Sequence, residues 1–386
     1  TDGISNTPIG IAGIKGGKMA ELDEHTTDLV IESANFNPTN IRKASQFLKL
    51  RTDASTRFEN EVPVWLTEYG LSAAVKLIIE LAGGNLEGYV DVHPRPLNQY
   101  KVGVSAADIN DLLGTDLDAG DIENIFKRFG FSYKKVMPVE EIVTLAPKYV
   151  GTPYKYFSSL AYGGTKTFDC SSFTRHLFIE GGIGIPRVSI DQFVYGEELS
   201  EKEEPLPGDL IFSVGSDKDK IHHRTVVYMP GTKVPVGVSH CGVYLGENKV
   251  AHASGTKGEV VIEDLDTSPD FAHVVGWRRV IASDEERYVV TVPFERLDVR
   301  IKEDLIEEVG RIHGYESIST EKVEKGDMLP KIHKGFYYAE QIRKVLKSEG
   351  FDEIYTSSFS DHGEVELANA LAQDKNFLRG NLHEAI

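Results

Sequence analysis

Cysteine is almost missing from this chain: there are two in 386 residues, Cys170 and Cys241. That excludes a disulfide framework and fits a reducing compartment in which a thiol is kept for chemistry. Long apolar runs are also missing. The greasiest stretch, VKLIIELA at 75–82, contains charge and is far shorter than the ~20 residues of a membrane span, so no membrane partner is expected. Basic charge is in deficit, with 42 Lys and Arg against 60 Asp and Glu, a net charge of −18. A nonspecific nucleic-acid binder needs a basic footprint and is disfavoured; a local RNA-contacting patch is not. No secretory pattern opens the chain, which begins TDGISN, ends NLHEAI and reads as a piece of something longer. The expected location is the cytoplasm.

What is present is the composition of a folded protein, 40% hydrophobic and 26% charged. The length exceeds one ordinary core and implies roughly two to four domains. LVIESANF (29–36) reads as a strand and turn, and TNIRKASQFLKL (39–50) as an amphipathic helix started by Thr39 or Asn40. Residues 65–82 form a longer helix closed by Gly83 and Gly84. Ser105 with Asp108, and Asp118 with Asp121, pair as capping boxes, and Gly114 and Gly130 end the two helices they open. FSYKKV (131–136) follows as a strand, but its partner does not come next. An alternating strand, RYVVTVPF, appears at 287–294, ahead of a strongly amphipathic helix. Joining 136 to 286 would make a short hairpin, so 137–285 reads as a domain inserted at its tip, where insertions are tolerated. Residues 319–386 add a helix, AEQIRKVLKSEGF, and a strand, EIYTSSF.

The strongest chemical signal lies in 137–285. Cys170 opens CSSFTRHLFIEGG, in which Phe173, Leu177 and Phe178 share a helical face. A thiol in a first helical turn feels unpaired N–H groups and the positive end of the dipole, which favour thiolate, the nucleophilic form. VSHCGVYLGENKVAHAS (238–254) reads as a hairpin turning near Gly246-Glu247-Asn248. Centred on 246, it makes His240 and His252 direct cross-strand neighbours. One imidazole then serves as base and the other fixes its orientation. Cys241, with Val243 and Leu245, falls on the opposite, apolar face and reads as a core thiol. A zinc site from His222, His223, His240 and Cys241 is the weaker rival, because adjacent strand residues point to opposite faces.

Six motifs in order, GTPYKY (151–156), FDCSSF (168–173), IPRVSIDQ (185–192), LPGDLIF (206–212), SHCGVYLG (239–246) and AHAS (251–254), resemble the NlpC-type cysteine peptidases. The resemblance implies a papain-like α+β fold, a peptide or amide substrate and no cofactor. It assigns Cys170 as nucleophile, His240 as base, His252 as the orienting third residue and Tyr154 as a neighbour of the site. Two features depart from the pattern: Ser171-Ser172 stand where the family usually has Ser-Gly, and the loop at 221–237 is long.

The outer segments resemble a different family. GIAGIKGG (10–17), residues 29–59, VSAADINDLLGTDL (104–117), residues 292–318 and YTSSFSDHGEVELANALAQDKNFLRGNL (355–382) are similar to the β subunit of bacterial phenylalanyl-tRNA synthetase. From the residues alone, Glu32 and Thr52 read as satisfying local backbone groups. The resemblance places Gly16, Glu32, Thr52 and Ala54 in a pocket that edits mischarged tyrosyl-tRNA. Asp304, Glu307 and Glu308 share a helical face with Asp298 just upstream. Such oxygen ligands suit Mg²⁺, and equally acids near a helix start complement its dipole. The resemblance favours Mg²⁺ shared with an α subunit, and it implies tRNA(Phe) as a further partner.

The reading is a multidomain α/β and α+β chain. Residues 1–98 are the later part of an editing domain with a connecting helix. Residues 99–136 with 286–318 form a small winged-helix-like helix–hairpin domain, split by the hydrolase at 137–285. Residues 319–386 begin an antiparallel-sheet, catalytic-like module. The expected function is that of a ligase β-subunit fragment, unable to aminoacylate alone, carrying a cysteine peptidase or amidase. The alternatives are an extra aminoacyl-ester deacylase, or a vestigial insert in an α-binding, tRNA-positioning module.

Overall fold

The computed structural model describes residues 6–92, 99–158, 167–200, 202–215, 232, 234, 237–282, 285–320, 331–370, 372 and 374–382. Most of the 221–237 loop, with His222 and His223, lies outside them. The backbone separates into two compact units, Thr1–Ser319 and Thr320–Ile386.

The first unit opens with a tight hairpin of β1 (Gly10–Ile11) and β2 (Lys15–Gly16). The strand expected at 29–36 does not form. That stretch takes up no ladder partner, and Val30 is fully exposed. Helix α1 (Pro38–Leu48) starts earlier than expected, because the Asn37 side chain caps Asn40 N–H and Pro38 suits the first turn. Helix α2 (Asp53–Phe58) begins with a Thr52–Ser55 capping box. Helix α3 (Leu66–Ala82) stops at Gly83, whose φ of 77° L-residues rarely adopt.

Strand β3 (Lys101–Ser105), α4 (Ala106–Leu113), α5 (Ala119–Phe129) and β4 (Ser132–Val136) follow. Both capping boxes form as the sequence predicts, and Gly114 and Gly130 take left-handed conformations at the helix ends. The chain then leaves this sheet for α6 (Pro138–Leu145), α7 (Cys170–Glu180) and α8 (Ser189–Phe193). Six antiparallel strands accompany these helices: β5 (Glu197–Glu198), β6 (Leu210–Ser213), β7 (His240–Gly246), β8 (Lys249–Ser254), β9 (Glu259–Asp264) and β10 (Val274–Arg279). Their order is β5-β10-β6-β7-β8-β9. Phe173, Leu177 and Phe178 of α7 pack on Leu210, Phe212 and Val243 in one buried core.

The chain returns as β11 (Arg287–Thr291), which pairs with β4 and also with β3. The result is a three-stranded sheet with the returning strand at its centre, not a two-stranded hairpin. Alternation along these strands gives the sheet two different faces. Val102, Val104, Tyr288 and Val290 pack on Ile109, Ile122, Phe126 and, from α9 (Lys302–His313), Leu305 and Ile306. The opposite face meets the end of α7. Glu180 pairs with Lys101 at 2.5 Å and Lys134 at 3.4 Å, and Arg287 Nε donates to the Gly182 carbonyl at 3.1 Å.

The second unit holds α10 (Lys334–Ser348) and a small sheet of β12 (Phe359–Ser360), β13 (Val365–Glu366) and β14 (Phe377–Leu378) in the order β12-β14-β13. The strand expected over EIYTSSF is confined to its last residue, where the ladder with β14 begins. Among the described residues no helix is long and apolar enough to cross a membrane.

Candidate active site

Cys170 is the first residue of α7, fixed there by the cap before it. The Asp169 carboxylate accepts from Ser172 N–H at 2.8 Å, and Ser172 Oγ accepts from Asp169 N–H at 2.9 Å. The second serine of the unusual Ser-Ser pair therefore completes a capping box. Arg187 holds the same carboxylate through both terminal nitrogens, 3.1 Å to Oδ1 and 2.5 Å to Oδ2, and also donates to Ser171 Oγ at 3.0 Å. The negative charge beside the sulfur is thus largely offset, which leaves the helix N-terminus free to favour thiolate.

The histidines come from β7 and β8, but not in the expected register. Glu247 and Asn248 both take positive φ, 49° and 60°, and form the two-residue turn. An irregularity between Tyr244 and Gly246 sets Val243 opposite Ala251, which puts His252 opposite Gly242. His240 is therefore a diagonal neighbour of His252 on the same face. The rings still meet, with His240 Nε2 to His252 Nδ1 at 2.9 Å. His252 Nε2 lies 3.1 Å from Glu263 Oε2, and its Nδ1 lies 3.8 Å from Asp270 Oδ2. All four side chains are buried or nearly so.

Hydrogen bonding sets the electrostatics. The Cys170 thiol lies well below its ordinary pKa: a hydrogen bond from Cys241 is the largest cause, and His240 adds to it against the opposing effect of burial. Burial disfavours the charged form of His240, but the hydrogen bond and charge of Cys170 outweigh it and the pKa rises. Burial and the charge of His240 push His252 down to about 4. Burial, with Cys170 and Asp169 nearby, raises the Tyr154 phenol, so it remains a donor at neutral pH. These shifts favour a thiolate–imidazolium pair backed by a neutral imidazole.

Cys241 is buried in the core, as its alternation predicts, yet its sulfur also reaches the site. It contacts Thr174 Oγ1 at 3.9 Å and Gln192 Oε1 at 3.5 Å. Gln192 in turn accepts from Thr174 Oγ1 at 2.9 Å and donates to the Ser171 carbonyl at 2.9 Å, tying the first turn of α7 to α8. A cleft of about 620 Å³ opens over the sulfur, lined by Tyr154, Tyr156, Phe157, Arg187, Ile190, Val214 and His240 among others. Sequence reasoning missed Glu263 and Asp270. Arg187 and Gln192 lay in view within IPRVSIDQ but without a role.

The other predicted residues do not assemble comparably. Thr52 Oγ1 donates to the Ile14 carbonyl at 2.7 Å and caps α2, which is the local backbone role. Gly16 and Glu32 are exposed and Ala54 is half-buried in α2. Among the acids, Asp298 pairs with Arg296 at 2.5 Å, and Glu308 pairs with Arg296 at 2.6 Å and with Arg311. Asp304 accepts from the backbone N–H of Ile301 and Arg300 at 2.9 and 2.7 Å, and Glu307 is exposed. Among the described residues the only group of three His, Cys, Asp or Glu ligand atoms within 4.8 Å of one another is His240, His252 and Asp270, which belongs to the relay. With Asp298, Asp304 and Glu308 turned to guanidinium and backbone donors and Glu307 exposed, the four acids do not fit an octahedral Mg²⁺ in this arrangement.

Comparison with known proteins accords with two sources for the chain. Residues 4–83 match the B3/4 domain, 151–234 the NlpC/P60 family and 273–315 the tRNA synthetase B5 domain. The chain is 38% identical over 129 residues to the phenylalanine–tRNA ligase β subunit of Streptococcus pneumoniae, and 42% identical over 125 residues to that of Carboxydothermus hydrogenoformans. Those matches cover 33% and 32% of this chain. The chain is thus similar to phenylalanine–tRNA ligase β subunits and, over 151–234, to the NlpC/P60 family. It spans only 16% of the length of either relative. For the NlpC/P60 domain, similar solved structures include NlpC1 from Trichomonas vaginalis, at 25% identity and TM-score 0.29, covering 37% of this chain and 44% of that one. An NlpC/P60 family protein from Bacillus cereus is 27% identical at TM-score 0.29, covering 37% and 40%. The B5 match begins at 273, one residue before β10, although β3 and β4, which complete the sheet around β11, lie before residue 137.

Proposed function

We propose that the NlpC/P60 domain, residues 137–285, is a cysteine peptidase or amidase. The observation that carries the reading is that Cys170, at the start of α7, and His240 line one cleft, with His252 2.9 Å behind the His240 ring. The Cys170 thiolate attacks a peptide or amide carbonyl presented in the cleft. The electron pair moves to the carbonyl oxygen, and the positive end of α7 favours the resulting oxyanion. The His240 imidazolium gives its proton to the leaving amine as the C–N bond breaks. A thioester on Cys170 remains. His240, now neutral, takes a proton from water, hydroxide adds to the thioester, and Cys170 leaves as thiolate. Tyr154, protonated at neutral pH, is a donor at the rim of this site.

The flanks, 1–98, 99–136 with 286–318, and 319–386, serve as the β-subunit part, working with an α subunit and tRNA(Phe) in aminoacylation. The Thr52 geometry favours a backbone role over an editing role. The acids at 298–308 act through Arg296 and Arg311.

Activity profiling of the purified chain tests the hydrolase reading. Short D/L-peptides, aminoacyl esters and mischarged tRNA are compared with and without Cys170→Ala. Amide cleavage lost in the variant supports the proposal. Cleavage of the aminoacyl ester alone makes the insert a deacylase, and no Cys170-dependent cleavage makes it vestigial.

A further inference from the structure

Every strand of the relay contributes one link, and the last link has no counterpart in the three residues assigned above. His240 on β7, His252 on β8 and Glu263 on β9 run diagonally across one face of the sheet. His252 is opposite Gly242 on one side and Val261 on the other, so both neighbours are displaced by two residues. We infer that Glu263 is a positioning residue that sets the tautomers of both imidazoles, and so makes His240 Nδ1 the nitrogen that receives the Cys170 proton. The inference rests on the hydrolase reading of this site.

The argument is one of donors and acceptors. Lys257 donates to Glu263 Oε1, and Ser268 Oγ donates to Oε2 at 2.7 Å, which keep the carboxylate ionised. An ionised carboxylate only accepts. The 3.1 Å contact with His252 Nε2 therefore requires a proton on that nitrogen. A neutral His252 then has its lone pair on Nδ1, which must accept from His240 Nε2–H across 2.9 Å. With that proton fixed on Nε2, the basic nitrogen left to His240 is Nδ1, for Cys170. Asp270 is the competing acid on the other side of His252. It stands 3.8 Å from Nδ1, beyond hydrogen-bond distance, and its Oδ2 already accepts from Ser254 Oγ at 2.6 Å. Glu263 therefore wins the tautomer.

The test is ¹⁵N-histidine NMR on the full chain, with iodoacetamide alkylation of Cys170 across pH. In the wild type at neutral pH, His252 should show a protonated Nε2 and an unprotonated Nδ1. In Glu263→Leu, which has no acceptor, His252 should shift toward the Nδ1–H form, whereas Glu263→Gln, whose Oε1 can still accept from Nε2–H, should keep the wild-type tautomer. Cys170 alkylation at neutral pH should then fall in Glu263→Leu by roughly tenfold or more, with its midpoint moved to higher pH. A wild-type His252 protonated on Nδ1 overturns the inference. So does a folded Glu263→Leu variant that keeps both the tautomer and the alkylation profile. If a variant does not fold, the wild-type spectrum decides. A wild-type Cys170 no more reactive than Cys241, with the tautomers as stated, removes the hydrolase and leaves the positioning intact.

Discussion

Cys170 draws its acidity from two elements. Its own helix supplies the dipole, and β7 supplies both Cys241, from the core side, and His240. The pH dependence follows with its sign. The depressed Cys170 pKa means thiolate persists as pH falls below the ordinary thiol range of about 8.5. The raised His240 pKa means the imidazolium is lost only as pH rises through that higher value. Alkylation of Cys170 should stay fast below the ordinary thiol range, and peptide cleavage should fall at both extremes. His240→Ala should move the alkylation midpoint upward, and Cys241→Ala should do so as well, an effect that a thiol serving only as core filler would not produce. Asp169 is the second residue to test. Asp169→Ala removes the cap of α7 and leaves Arg187 without its carboxylate, so thermal unfolding should show a loss of about 1 to 2 kcal/mol.

At the scale of elements, one failed expectation has a traceable reason. The β7–β8 hairpin was expected to turn about 246, but left-handed Glu247 and Asn248 moved the turn and a ladder irregularity moved the register. The histidines kept their shared face because the net shift is even, and a one-residue slip would have separated them. The junction between α7 and the three-stranded sheet was not anticipated at all. Gly103 lies so close to Gly182 that a Cβ added at 103 would stand 2.0 Å from the Gly182 carbonyl oxygen. Gly103→Ala should therefore force β3 and the end of α7 apart, with a destabilisation of about 1 to 3 kcal/mol in denaturant titration. A variant as stable as the wild type would show that this contact is not made.

At the scale of the whole molecule, the chain leaves one sheet after Val136 and returns to its centre at Arg287, so the excursion begins and ends on neighbouring strands. Such an arrangement would let a hydrolase site stand apart from the flanking sheet. Under the proposed function, Cys170→Ala should leave any deacylation of mischarged tRNA unchanged in single-turnover assays with a phenylalanine–tRNA ligase α subunit added. A fall in that rate would make the insert a second editing centre.

The sequence by itself determined the local structure: capping pairs such as Ser105 with Asp108, glycine stops such as Gly130, and the placement of Cys170 at a helix start. These depend on residues within a few positions of one another, where spacing and chemistry are legible. It also placed His240 and His252 on one face, because strand alternation has a fixed period. Only the tertiary structure decided which of 60 acidic side chains stands behind His252, and that Arg296 and Arg311, not a cation, face Asp298 and Glu308. Carboxylates are abundant and long, and strand registers depend on single-residue irregularities. Their partners are therefore chosen by packing between distant segments, which no local pattern encodes.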